Sequence, residues 1–130
     1  MYSGGQGVYL AALSHEYVRR GHEVHAIVGP PYPDLEPGVI QHRLPDYSVF
    51  HHFEAGDDFW RRPPLSYLSP VNFYELATSK AGMFSVMAAF SLRAFEAVAR
   101  LHRERPFDIV HDNQSLGYGD VLIRLLGVPV

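Results

Sequence analysis

The stretch Leu13-Ser14-His15-Glu16-Tyr17-Val18-Arg19-Arg20-Gly21-His22-Glu23-Val24-His25-Ala26-Ile27-Val28 decides the fold class. Its first part continues a pattern that starts at Val8. Leu10, Leu13, Tyr17 and Val18 fall at helical spacing, with Ser14, Glu16, Arg19 and Arg20 on the other side. Gly21 stands where a left-handed C-terminal cap is wanted, and the two arginines before it suit the negative end of a helix dipole. A helix is therefore predicted from Val8 to Arg20, stopping at Gly21. Glu23 to Val28 follows as a short, largely apolar run into Gly29-Pro30-Pro31, the pattern of a buried strand ending in a turn. A helix followed within about two residues by such a strand is an α/β signature.

The rest of the chain extends this alternation. Val39 to Leu44, bounded by Pro37-Gly38 and Pro45, reads as a second strand. Asp46 to Pro70 is aromatic, proline-bearing and unperiodic, and reads as a long loop with at most one helical turn, of the kind that is functional or poorly ordered. Helix formers dominate from Val71 to about Arg105, with a break at Gly82 and a stop at Pro106. Phe84, Met87, Ala88, Phe95, Val98 and His102 fall near one face, expected to be core packed against a sheet. Phe107 to His111 reads as a third strand, followed by the polar loop Asp112-Asn113-Gln114-Ser115. A helix from about Gly119 to Leu126 comes next, with Val121, Leu122, Leu125 and Leu126 as its buried stripe and Gly127 as its stop. Val128-Pro129-Val130 looks like the start of another strand. The expected fold is α/β, a Rossmann-like parallel sheet with flanking helices and right-handed crossovers. Such sheets bind ligands outside the carboxyl ends of their strands.

Composition narrows the function. The 130 residues, 47% hydrophobic and 19% charged, can bury a core and make one domain or less. A net charge of −3 with scattered basic residues argues against a nucleic-acid partner. The absence of cysteine excludes a disulfide scaffold, a thiolate metal site and a cysteine nucleophile, and it fits a reducing, cytoplasmic setting. No stretch approaches the roughly 20 apolar residues of a spanning helix, and Met1 to Gly7 lacks the marks of a signal peptide.

Two segments carry candidate chemistry. Gly4-Gly5-Gln6-Gly7 leads directly into the first helix, where free N–H groups and the positive dipole end favour an anion and glycines allow its close approach; an ordinary flexible entry is the alternative. It is no dinucleotide fingerprint, since the third glycine position would be Leu10, and no P-loop, since Lys80 is the only lysine. The second segment is His111, Asp112 and Asn113 with Gln114, polar residues at the end of an apolar strand. They either meet a ligand, with His111 suited to hydrogen bonding or proton transfer, or form a self-capping turn. The eight histidines show no coordinating frame, so no metal is expected. No Gly-x-Ser-x-Gly elbow is present.

Ser3 to Leu10, Leu13 to Val24, Phe107 to Asn113 and Gly127 to Val130, in that order, resemble the N-terminal domain of family 4 retaining glycosyltransferases of the GT-B type. The resemblance implies an acceptor-side Rossmann-like domain over residues 1–130, paired with a C-terminal donor-binding domain that this chain lacks. It implies no cofactor beyond a nucleotide-diphosphate sugar as co-substrate, and a sugar or lipid-linked acceptor as partner. Gly4, Gly5 and Gln6 would then lie by the donor phosphates or acceptor, and His111, Asp112 and Asn113 would line the acceptor cleft. No residue is assigned as catalytic. The family begins with a strand ahead of the Gly-Gly loop, and this chain begins at the loop. A fragment, inactive by itself, is the expectation, with a non-catalytic Rossmann-like nucleotide- or sugar-binding module as the alternative. Phe50, Phe53, Phe59 and Trp60 either tuck onto the core or make a peripheral membrane contact at the inner face.

Overall fold

Helix α1, Gly4–Arg19, ends because Gly21 adopts φ +86. Its terminal carbonyls are then satisfied in a Schellman pattern: Gly21 N–H donates to Val18 O at 2.9 Å and His22 N–H to Tyr17 O at 3.1 Å. The accompanying contact across the cap is Tyr17 against His22, edge to face with centroids 6.0 Å apart. Glu16 accepts from both Arg19 and Arg20, and these hydrogen bonds hold its carboxyl below the usual range. The Arg-Arg-Gly-His order is thus a helix terminus written in sequence.

The computed structural model describes residues 4–47, 63–83, 85–113 and 117–130, which fall into two compact units, 1–45 and 46–130. In the first unit, strands β1 (Val24–Val28) and β2 (Val39–Arg43) pair in parallel, with Val24 opposite Val39 and Val28 opposite Arg43. Leu44 N–H extends the pairing to Val28 O at 2.8 Å. The crossover between the strands is fastened by Tyr32 Oη to Leu44 O at 3.0 Å and Gln41 Nε2 to Pro33 O at 2.9 Å. This register also joins His25 to His42, whose rings stack 5.1 Å apart with Nδ1 and Nε2 at 3.0 Å. Glu23 lies at 3.1 Å from the other nitrogen of His25. Ala26 and Val28 supply the buried strand residues, and α1 packs through the small residues Gly7 and Ser14, one buried seam at i and i+7.

The second unit is helical. A 3-10 turn, Pro64–Leu68, leads into α2 (Pro70–Lys80); α3 (Val86–Glu104) and α4 (Tyr118–Arg124) follow. The break at Gly82 and the stop at Gly127 occur as the sequence reading expects, at φ +77 and +83. Pro106 follows the end of α3, where His102 Nδ1 accepts from Phe107 N–H at 3.0 Å. Among the described residues no helix is long and apolar enough to cross a membrane.

Four expectations need correction. The Gly4-Gly5-Gln6-Gly7 segment is the first turn of α1 rather than a loop before it, because packing at the buried Gly7 overrides the low helix propensity of glycine. The buried side of α3 is Ala89, Ser91, Arg93, Ala94, Ala97 and Val98, while Met87 is exposed; Phe84 lies outside the described residues. Small residues let α3 approach its neighbours closely, and two polar residues share that side with satisfied partners. In α4, Ile123 and Gly119 are buried and Val121 and Leu125 are exposed, because the contact with α3 runs through Gly119. Finally, residues 107–111 and 128–130 form no ladder: they are joined by Val110 N–H to Pro129 O at 2.8 Å, a single backbone bond where strands would need a series.

The two positive-φ glycines flanking β1 and β2 separate strain from crowding. A Cβ on Gly21 would meet nothing within 4 Å, whereas one on Gly38, at φ +118, would lie 3.2 Å from Val18 Cγ1. Gly21→Ala should cost about 1 kcal/mol from backbone strain alone. Gly38→Ala should cost about 2 kcal/mol or more, because Val18 must also shift. Urea unfolding midpoints of the two variants check the order.

Candidate functional site

The two candidate segments lie in different units. In the first, Gly4, Gly5 and Gln6 form the opening turn of a sixteen-residue helix that carries no acidic side chain in that turn. Gly5 and Gln6 are exposed, and a Cβ on Gly5 would meet no atom within 4 Å. The backbone at Gly5 is therefore approachable at the positive end of the α1 dipole.

In the second unit, His111 is exposed and Asp112 and Asn113 are half-buried, in irregular chain that follows the Val110–Pro129 bond and bends at Asn113. Gln114 lies outside the described residues. The structure adds a residue that the sequence reading left out: Asp120, in the first turn of α4, whose carboxyl stands near enough to Asp112 to feel its charge. Burial and then the Asp112 charge push the Asp120 carboxyl up, with Arg124 opposing. Its Oδ1 is buried with no hydrogen-bond partner among the described residues. The sequence signal was available: an acid at the third position of a helix that follows a loop of Asp and Asn is placed to turn back on that loop. Asp120 is held there by the α4 N-terminus, whose Gly119 N–H donates to Ser91 Oγ of α3 at 2.7 Å. A serine on a neighbouring helix thus does the work of an N-cap that Gly117 cannot supply.

Chemically, the second segment offers an imidazole, an amide and a carboxyl pair suited to hydrogen-bonding the hydroxyl groups of a polar ligand. Among the described residues no three His, Asp or Glu side chains gather as a metal site.

Comparison with known proteins shows what these segments belong to. The family model described as "Glycosyl transferase 4-like domain" matches residues 4–130. An "MMP alpha-(1->4)-mannosyltransferase" from Mycolicibacterium hassiacum is 37% identical over 128 residues, covering 98% of this chain. The chain spans only 30% of the length of that relative.

The Asp120 carboxyl gives a pH test. With its folded-state value raised, Asp120 contributes stability that is fully present below the ordinary value of 3.8 and is lost as pH rises through the raised value. Asp120→Asn, which cannot ionise, should therefore be slightly more stable than the parent chain at pH 7 and indistinguishable from it below 3.8. Urea unfolding of both chains across that range reads the difference.

Proposed function

The chain belongs to the glycosyl transferase 4-like family, and on that premise we propose that it is the acceptor-binding side of a retaining, GT-B-type mannosyltransferase. The observation that carries this reading is the extent of the family match, which takes in both candidate segments, residues 4–6 and 111–113. The sugar and the linkage come from the relative, whose name specifies mannosyl transfer and an α-(1→4) bond.

In this reading the donor is a nucleotide-diphosphate mannose and no metal or other cofactor takes part. Gly4, Gly5 and Gln6 offer backbone N–H groups and open space where a phosphate, or an anionic group on the acceptor, can approach the start of α1. His111 and Asn113 hydrogen-bond acceptor hydroxyls. Asp112, with the Asp120 carboxyl close by, does the same. A hydrogen bond from an acceptor hydroxyl to this cluster fixes which oxygen faces the donor carbon, and so fixes the linkage. The donor-binding residues belong to a C-terminal domain outside these 130 residues, so the chain alone should bind acceptor without turning over. The site is cytoplasmic, and a lipid-linked acceptor would bring a peripheral contact with the inner face of a membrane. Phe50, Phe53, Phe59 and Trp60, the residues suited to that contact, lie outside the described residues.

Calorimetric titration of the chain with methyl glycosides and, separately, with nucleotide-diphosphate sugars tests this. Glycoside binding is expected, weakened about tenfold or more by His111→Ala or Asn113→Ala. Tight binding of the nucleotide sugar with no response to any glycoside would contradict it.

A further inference from the structure

The second unit buries a complete ion pair that the candidate site does not use. Glu75 of α2 is 0% exposed and Arg93 of α3 is 7% exposed. Arg93 donates to Glu75 Oε2 and, through Nε, to Asn72 Oδ1 at 2.9 Å. The same Glu75 oxygen accepts Tyr47 N–H at 2.9 Å, and Asn72 Nδ2 donates to Ser66 O at 2.8 Å. The guanidinium also lies over the Tyr47 ring, 5.1 Å from its centroid. Four hydrogen bonds through three side chains therefore run without a gap from the Tyr47 backbone to the Ser66 backbone.

Those two backbone positions stand on either side of residues 48–62. We propose that Glu75, Arg93 and Asn72 are positioning residues that fasten both stems of this segment, 46–47 and 63–66, as one cooperative unit, with Arg93 as the hub. Three features support a positioning role over simple stabilisation. Glu75 Oε1 is buried without a hydrogen-bond partner among the described residues, so the carboxylate is placed to serve the relay at a solvation cost. Asp46, itself buried, adds a second acid near the pair, so burial and Asp46 both oppose the charge on Glu75 while Arg93 and Tyr47 N–H support it. And a buried ion pair is generally matched or exceeded in stability by apolar residues of similar volume, so what it supplies is a defined arrangement. The segment between the stems is rich in Phe, Trp and charged residues. Whatever it meets, its entry and exit are set by α2 and α3.

Native-state hydrogen exchange on the whole chain tests this, read at two amides. Tyr47 N–H bonds Glu75, and Ser66 N–H bonds Pro63 O at 2.9 Å. In the double variant Glu75→Met/Arg93→Met the α3 amides should keep their protection while Tyr47 and Ser66 exchange about tenfold faster or more. Asn72→Ala cuts the relay beside Ser66 and leaves the ion pair intact; it should also accelerate both amides together. If the double variant fails to fold, the Asn72 variant decides. Exchange at Tyr47 unchanged in Asn72→Ala, or both amides unchanged in a folded double variant, would overturn the proposal.

Discussion

Every buried backbone N–H and C=O must find a partner, and this constraint governs how the elements of the chain join. The end of α1 is closed by the left-handed Gly21 and the His22 amide. The residue after Pro106 gives its N–H to His102 of the helix just ended. The start of α4 gives the Gly119 N–H to Ser91, and the chain at Tyr47 gives its N–H to Glu75. At each of these joints a polar side chain or a glycine stands where hydropathy alone would put something else. The joints place the candidate residues: Asp120 is where it is because Ser91 holds the first turn of α4.

This explains what the sequence makes legible. Helix α1, its stop, and both strands of the first unit are readable because their determinants are local: apolar spacing, Gly21, and the glycines and prolines that bound the strands. The face of α3 is not readable in the same way. Apolar periodicity counts Arg93 and Ser91 as surface, but both are buried because each satisfies a distant group, Glu75 and Gly119 respectively. Misphasing the helix by those two residues turns Met87 inward on paper and outward in the structure. Residues 107–111 have the composition of a strand, yet composition says nothing of whether a neighbour offers a ladder, and one bond to Pro129 is what forms.

The candidate site shows the same division. His111, Asp112 and Asn113 could be picked out because polar residues at the end of an apolar run are conspicuous. Asp120 is marked in the sequence only by its place in the first turn of a helix after a loop of Asp and Asn; its importance rests on the proximity of its carboxyl to Asp112 and on burial. At the other segment the residue identities were legible and their conformation was not: the glycines open α1 instead of preceding it. That change favours an anion-binding reading, because helical N–H groups point along the axis in a fixed direction, where a loop would have to be ordered first.

The central claim is that these two short segments, in a chain of the glycosyl transferase 4-like family, are the ones that meet ligand. The most direct measurement is an amide chemical-shift map of the chain titrated with methyl α-mannoside. The account predicts shifts concentrated at residues 111–113 with the glycoside and at residues 4–7 when inorganic phosphate is added, with α2 and α3 still. Shifts confined to α2 and α3, or none at saturating glycoside, would contradict it.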